Sequence, residues 1–250
     1  MTRIYQVIVG KDITDRCLYM RCGFKTSSEM NITERIVNHA LELFVRSGIR
    51  AITMDDISAQ AGVSKRTIYE NFRDKDELLR ACLLFMDSHH ARETERIFAE
   101  SKNTIDMVFL FLQHGIGAIN SINPLFMADM KKYHYRIWKE TYVINSDKYL
   151  DQTYTILKKG INEGLFRKSI DIEIVARLLN EQLTLMTDER IFPSLKFSKS
   201  IVFENIVINF FRGIATDRGI KVIDKYMDQQ GLQRSAVTKN LKLPGLQPEQ

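Results

Sequence analysis

The stretch GVSKRTIYENF, residues 62–72, places a serine, two adjacent cations and a threonine directly after a glycine. A serine hydroxyl at a helix start can accept a hydrogen bond from a free backbone N–H, and the first helical turn presents such groups to anions. Lysine and arginine donate to phosphate oxygens and to guanine O6 and N7, while a threonine methyl can contact the thymine methyl. The chemistry that this stretch suits is noncovalent recognition of a polyanion such as DNA.

Further polar groups lie at neighbouring helix starts or beside the two cations. Hydroxyls, ammonium groups and free backbone N–H groups at such positions meet phosphate oxygens, which set affinity and salt dependence rather than sequence preference. We predict seven DNA-contacting residues: Lys65, Arg66 and Thr67 toward the bases, and Thr53, Ser64, Tyr69 and Lys75 toward the phosphates.

Four helices are predicted before residue 100. Asn31 and Glu34 have the spacing of a capping box, and Gly48 ends this first helix of about four turns. A second helix begins at Thr53, with Asp56 three residues on, and runs to Ala61.

The next two helices follow from the same capping rules. Gly62 ends the second helix, and Ser64 caps a short third helix from Lys65 to Asn71. Asp74 then begins a long fourth helix.

Apolar residues in the two short helices have the spacing to form a small core that fixes their angle. We expect Phe72 in that core and Tyr69 on the surface. Two short helices around a glycine turn, the second beginning with cations, are the pattern of a helix-turn-helix. The predicted core residues are Ile57, Ala61, Val63, Ile68 and Phe72.

The remainder of the chain has longer helical patterns. Only four prolines occur, and apolar residues recur at helical rather than alternating spacing, so the predicted fold is all-α with about nine helices. The longer helices are expected near 104–121, 124–139, 141–164, 171–189 and 198–216. The predicted organisation is a helix-turn-helix domain at 31–80 and a larger ligand-binding and dimerisation domain at 81–218, with helix 4 linking the two.

The two ends of the chain differ in sequence pattern from these domains. Residues 1–30 include IYQVIV, a strand-like segment with no evident partner strand. Two interpretations stay open for them: translation begins at Met30, or the segment is an arm that packs on the body. Residues 219–250 are predicted to be a partly disordered tail because the end of this segment is polar and contains two prolines.

The second domain is rich in aromatic residues and methionines. Such residues are usually plain core, but they also line cavities for small molecules. His114 lies in an otherwise apolar helix, where a satisfied buried histidine is the alternative to a ligand contact. The candidate ligand-binding residues are Met107, Phe111, His114, Trp138, Tyr142, Tyr154 and Met186.

The stretch FENIVINFFRGIA, residues 203–215, is apolar nearly all round. A helix of this kind near the end of a domain suggests burial on two sides, by its own core and by another subunit. We therefore expect a homodimer through the helices near 171–189 and 198–216.

Composition limits the class of protein. The net charge of +5 and an isoelectric point near 9.0 are compatible with a polyanionic partner. Three cysteines in 250 residues suggest neither a disulfide framework nor a zinc site, so the simplest location is a reducing cytoplasm. No apolar run has the length of a membrane span, and no cofactor, metal or membrane partner is predicted.

The sequence lacks several common enzyme signatures. It contains no phosphate-binding glycine loop, no GxSxG elbow and no HExxH motif. The histidine pair at 89 and 90 is interpreted as part of the polar face of the fourth helix. These observations give no support to catalysis.

Residues 32–79, ITERIVNHALELFVRSGIRAITMDDISAQAGVSKRTIYENFRDKDELL, resemble the amino-terminal domain of TetR-family transcriptional regulators. The resemblance implies an all-α homodimer with a four-helix bundle at its interface, and a variable second domain whose small ligand releases the operator. It implies base contacts from Lys65, Arg66 and Thr67. Phosphate contacts would come from Thr53, Tyr69 and Lys75. Because Arg66 stands where many members have a small residue, no operator sequence is carried over.

Three interpretations follow. The first is a dimeric repressor of a palindromic operator that responds to a small apolar or aromatic effector. The second is a DNA-binding dimer without a small-molecule ligand, which a closed second domain without a cavity would favour. The third is an enzyme that uses a pocket in the second domain.

Overall fold

A computed structural model of the chain describes residues 31–230, apart from the side chains of 142–146 and 230. Ten α-helices and no strand occur in these residues, which confirms the all-α prediction with one helix more than expected. The helices are α1 (Ile32–Ser47), α2 (Met54–Ala61), α3 (Lys65–Asn71), α4 (Lys75–Glu100), α5 (Thr104–Ser121), α6 (Pro124–Tyr133), α7 (Tyr135–Asn162), α8 (Ile172–Leu185), α9 (Lys199–Ile214) and α10 (Asp217–Gln230).

Side-chain caps at Asn31, Thr53, Ser64 and Asp74 fix the starts of the first four helices, as predicted. Asn31 and Glu34 form a capping box at the start of α1, and Thr53 forms one with Asp56 at the start of α2. Ser64 caps α3 by accepting a hydrogen bond from the backbone N–H of Thr67. Each cap satisfies a backbone donor that would otherwise lack a partner in the helix.

The small core predicted for the helix-turn-helix is present. Ile57 and Ile68 are fully buried, Phe72 is nearly so, and Val63 packs against them. Tyr69 is 48% exposed, as expected. The angle between α2 and α3 is thus fixed by side-chain packing.

This first core extends into the second domain. It includes Phe126 and Met130 from α6 and Ile137 from α7, all of them buried. Because α6 shares the core of the first three helices, its position and theirs are mechanically linked.

A second core holds the larger domain together. Its buried residues come from five helices, α5 and α7 to α10, and from the turns at 165–166 and 215. Phe109 of α5 stacks on Tyr226 of α10, with ring centroids 5.1 Å apart.

Helix α10 corrects the assignment of residues 219–250 to a tail. Gly219 in its first turn is unfavourable for a helix, yet a Cβ there would lie 2.2 Å from the carbonyl oxygen of Leu165. Ile220, Ile223 and Tyr226 pack on the second core, so tertiary burial outweighs the weak local propensity. Residues 1–30 and 231–250 lie outside the described residues, and so do the predictions made for them.

The boundary between α6 and α7 was also predicted wrongly. The structure breaks the helix at His134, and not near residue 140. No proline or glycine marks this site in the sequence. His134 Nδ1 lies 2.9 Å from a carboxylate oxygen of Asp76 in α4, a contact that only the tertiary fold provides.

No single helix in residues 31–230 has the length and apolarity to cross a membrane. Helices α5 and α6 meet these criteria only as a pair, with a 77° bend between them.

Replacement of Gly48 by alanine should destabilise the protein more than replacement of Gly62. Both have positive φ, 85° and 62°, which an L-residue adopts at a cost of about 1 kcal/mol or more. A Cβ at Gly48 would lie 3.0 Å from a carboxylate oxygen of Asp129, whereas a Cβ at Gly62 meets open space. We expect losses of about 3 and about 1 kcal/mol in the free energy of unfolding measured by urea denaturation. Equal losses would contradict the close approach of α6 to Gly48.

Candidate DNA-binding surface

Helix α3 presents its first turn to solvent. Gly62 in the left-handed conformation turns the chain, and Ser64 Oγ accepts from the Thr67 backbone N–H at 3.0 Å. The side chains of Lys65 and Arg66 are 52% and 88% exposed. Ile68 on the opposite face is buried, so the helix is anchored on one side and open on the other.

Each of the two cations has an acidic partner on the same surface. Lys65 Nζ lies 2.8 Å from a carboxylate oxygen of Asp55 in α2, and Arg66 Nε lies 2.9 Å from Glu70 Oε1 in α3. The hydrogen bond to Asp55 raises the pKa of Lys65, so this ammonium stays charged at neutral pH. The two cations and two carboxylates give this part of the surface no net charge.

Sequence reasoning did not identify these acidic partners. The spacing of Arg66 and Glu70, one helical turn, is a usable sequence signal for a side-chain pair. The pairing of Asp55 with Lys65 joins two helices and depends on their crossing angle, so the sequence alone could not establish it.

The structure gives Thr53 an internal role beside its predicted phosphate contact. Its hydroxyl accepts from the Asp56 backbone N–H at 3.2 Å and lies 2.6 Å from Asp56 Oδ2. The Thr53 hydroxyl and backbone N–H both donate to that carboxylate and lower its pKa. Thr53 remains exposed at the start of α2, and its phosphate contact stays a prediction.

Lys75 is engaged inside the protein. Its Nζ donates to the carbonyl of Ile49 at 2.6 Å and to the carbonyl of Ile52, and it lies 5.6 Å from the centre of the Phe44 ring. Burial lowers the pKa of this ammonium. Its expected phosphate contact stays a prediction, but the observed contacts make Lys75 a positioning residue for the turn before α2.

Helix α6 holds the same turn from the other side. Asp129 Oδ2 accepts from the Arg50 backbone N–H at 2.8 Å, and the Arg50 guanidinium donates to the Tyr133 hydroxyl at 2.9 Å. At the start of α6, Asn123 donates to the carbonyls of Val45 and Arg46 at 2.9 Å each. The turn at residues 48–52, which precedes the helix-turn-helix, is therefore fixed by both α4 and α6.

The candidate ligand residues are divided between the two cores. Trp138 packs against the first core, with the Lys131 ammonium 5.7 Å from its ring centre, whereas Tyr154 packs against the second. Met107 is fully buried in α5, and Phe111 meets Phe98 edge to face. Met186 follows α8 at its carboxyl end, and the Tyr142 side chain lies outside the described residues.

His114 belongs to a cluster of three rings from three helices. The His90 ring centre lies 5.6 Å from that of His114 and 5.5 Å from that of Tyr149. Burial lowers the pKa of His90 and of His114, in the latter case to about 4, and raises the pKa of Tyr149. These side chains are thus uncharged at neutral pH. His89 is only 7% exposed, so its assignment to a polar face of α4 was wrong.

An apolar cavity between α5, α9 and α10 is small. It measures about 10 Å³, roughly the size that one water molecule needs. None of the six ligand candidates with described side chains lines it. The lining is apolar and comes from α5, α9 and α10: Ile105, Val108, Phe109, Leu112, Val207, Ile208, Phe211 and Ile223.

Several known proteins are similar to this chain in sequence. Residues 36–82 match the family described as bacterial regulatory proteins, tetR family. The HTH-type transcriptional regulator YvaF of Bacillus subtilis is 26% identical over 188 residues, which cover 74% of this chain and 96% of that protein. The HTH-type transcriptional repressor KstR2 of Rhodococcus jostii is 25% identical over 165 residues, 62% of this chain and 78% of that one.

A solved structure shows the same fold over most of the chain. It comes from a Saccharomonospora viridis protein in complex with choline and superimposes with a TM-score of 0.60 at 15% identity. The match covers 74% of this chain and 97% of that one.

The His114 cluster predicts a loss of stability in mild acid. Burial, with a contribution from His90, lowers the His114 pKa from 6.5 to about 4, so below pH 6.5 the unfolded chain takes up a proton that the folded protein does not. Stability is therefore full above pH 6.5 and is lost as pH falls toward 4. The free energy of unfolding, measured by urea denaturation, should fall between pH 7 and pH 5 in both proteins. After allowance for solvent screening, the fall should be about 1 kcal/mol smaller in His114→Gln than in wild type. An unchanged pH dependence would contradict the burial of a neutral imidazole.

Proposed function

The chain carries the DNA-binding domain of the TetR family of transcriptional regulators, and from that premise we propose that it is a dimeric repressor released from its operator by a small molecule. The observation that carries the proposal is the exposed first turn of α3, with Lys65 and Arg66 projecting from a rigid base. A helix held in this way can enter a major groove and place donors against base edges.

An exposed apolar face on α8 and α9 supports a homodimer. Ile174, Leu178 and Leu185 lie on one face of α8 and are 45–57% exposed, and Ile201 of α9 is 59% exposed. Much of the stretch predicted to face a partner, residues 203–215, packs in the chain's own second core. The proposed contact between subunits therefore involves α8 more than this stretch. A twofold axis through this face would bring four helices together.

The dimer would set the spacing of the two recognition helices. Two such helices about 34–36 Å apart reach successive major grooves on one side of the duplex. We therefore propose a palindromic double-stranded operator, and a location in the cytoplasm where that DNA is found.

Helix α6 offers the route by which the second domain would act on DNA binding. It is bonded to the turn at 48–52 through Asp129 and shares the first core through Phe126 and Met130. A change in α6 or α4 would therefore move the base of α2 and α3 in both subunits. A coupling of about 1–3 kcal/mol between effector and operator is typical of such systems.

The effector that we propose is apolar or aromatic, because apolar and aromatic side chains dominate the second domain. The Saccharomonospora viridis protein of the same fold is in complex with choline, so the fold is compatible with a small-molecule ligand. The cavity between α5, α9 and α10, at about 10 Å³, has room only for one water molecule, so a ligand bound there would require these helices to move apart.

That small cavity favours a second candidate function, a DNA-binding dimer without a small-molecule ligand. The two candidates differ in one observable, the release of labelled operator by a small molecule. Release at a concentration that leaves the protein folded supports the first candidate, and a domain that stays closed to every apolar and aromatic compound tried favours the second.

Fluorescence anisotropy tests the DNA-binding proposal. Labelled DNA from upstream of the protein's own gene and a scrambled duplex are titrated at two salt concentrations. We expect a preference of at least about a thousandfold for the upstream DNA. Arg66→Ala should cost about 1–3 kcal/mol on that DNA and little on the scrambled duplex, because base contacts specify and phosphate contacts do not.

The outcome that contradicts a base-contacting role for Arg66 is an equal loss on both duplexes. Weak, equal and steeply salt-dependent binding of the wild type to both would show that the upstream DNA holds no operator, and selection from a random DNA pool would then test the DNA-binding proposal.

The proposed dimer predicts that Leu178→Glu yields monomers. Each dimer contains two copies of the substitution, which removes buried apolar area and places carboxylates near a twofold axis. Sedimentation velocity at micromolar concentration should show at least about a hundredfold weaker association, about 3 kcal/mol. The matched control is Leu84→Glu in α4, a different helix, at a position 69% exposed, which should leave the dimer intact. A wild type that sediments as a monomer would refute the proposed assembly.

A further inference from the structure

We infer that Glu70 and Asp55 are specificity-determining positioning residues, which aim Arg66 and Lys65 at base edges and lower the affinity for non-specific DNA. This inference rests on the proposed function. The carboxylates lie on the surface that would face DNA, where like charge repels phosphates. Two carboxylates at such positions weaken DNA binding, so we expect a contribution that offsets this repulsion.

The Arg66–Glu70 contact uses only one edge of the guanidinium. Arg66 donates from Nε to Glu70 Oε1 at 2.9 Å. The fork of terminal Nη groups is the part of arginine that donates to guanine O6 and N7, and the side chain is 88% exposed. Glu70 lies one turn further along α3, so it can hold Nε while the Nη groups point away from the protein.

The Lys65–Asp55 contact restrains the second cation differently. Asp55 lies in the first turn of α2, and both its carboxylate oxygens lie within 3.0 Å of Lys65 Nζ. A lysine side chain is long and flexible, and an ion pair across the two helices limits where its ammonium can lie. The contact thus ties a base-facing donor to the rigid frame of the helix-turn-helix.

The same pairs reduce the attraction of the surface for DNA of any sequence. The affinity of proteins for non-specific DNA comes from cations that neutralise phosphates and release counterions. Here two carboxylates offset Lys65 and Arg66, so a duplex without matching base acceptors gains little. This loss applies to every duplex, so the ratio between the two affinities rises only because a matching site gains from donors that are already positioned.

The test compares Glu70→Gln and Asp55→Asn with wild type on two duplexes, the tightest binder from a random pool and its scrambled version. Glu95→Gln is the matched control, because it removes the same charge from an exposed position of α4 outside the helix-turn-helix. We expect each variant to bind scrambled DNA several-fold more tightly and to lose about tenfold in the ratio of the two affinities. The control should leave the ratio unchanged, and thermal melting checks that all variants are folded.

A purely structural role for Glu70 would leave the base preference unchanged, so base preference is the measurement that distinguishes the two roles. Affinities for every single-base variant of the site should show that Glu70→Gln relaxes preference at the base pair that Arg66→Ala relaxes. The doubly substituted protein should lose no more preference there than Arg66→Ala alone, since the acid acts through the arginine.

Two outcomes overturn the inference while the proposed function stands. One is an unchanged affinity ratio in both variants. The other is a relaxed preference in Glu70→Gln at base pairs that Arg66 does not affect. A wild type without sequence preference for any duplex would instead refute the proposed function together with this inference.

Discussion

The turn at residues 48–52 is the constraint on which the geometry of the helix-turn-helix depends. Gly48 adopts a conformation that favours glycine, and the backbone that follows it is bonded to Lys75 on one side and to Asp129 on the other. Because α2 begins immediately after this turn, its direction is set by two side chains from α4 and α6. The recognition helix inherits that direction through the small core around Ile57 and Ile68.

This arrangement links the larger helical part of the chain mechanically to α2 and α3. Helix α6 contributes Phe126 and Met130 to the first core, and α4 runs from that core to α5. A rearrangement of the larger domain would therefore have to repack the first core or carry it along. Packed cores resist continuous deformation, so a shift between two discrete arrangements is the form that regulation would take.

Charge on the recognition surface is balanced rather than strongly basic. Lys65 pairs with Asp55 and Arg66 with Glu70, so these two cations expose hydrogen-bond donors without adding net charge to this part of the surface. Such a surface relies on the geometry of a few donors more than on general attraction, which suits discrimination between sites.

Local sequence rules predicted the first four helices well because capping residues and glycines act over three or four positions. Asn31, Thr53 and Ser64 cap as expected, and Phe72 and Tyr69 fall on the predicted sides. The DNA-contacting set remains a prediction, since its partner is a second molecule.

The incorrect predictions share one cause, which is that contacts between residues distant in the chain cannot be predicted from local sequence. The break at His134 coincides with a contact to Asp76, and α10 forms because it packs on the second core despite Gly219. The internal role of Lys75 was not foreseen, because its carbonyl partners lie more than twenty residues away in the chain. The candidate ligand residues were chosen by composition, which does not tell which side chains share a cavity.

Selection from a random pool of double-stranded DNA tests the central claim most directly, because it assumes no operator. The account predicts enrichment of a palindrome whose half-sites are centred about one helical turn apart or slightly more, as two recognition helices on a twofold axis require. Enrichment of no motif, or of a single unrepeated half-site, would contradict it.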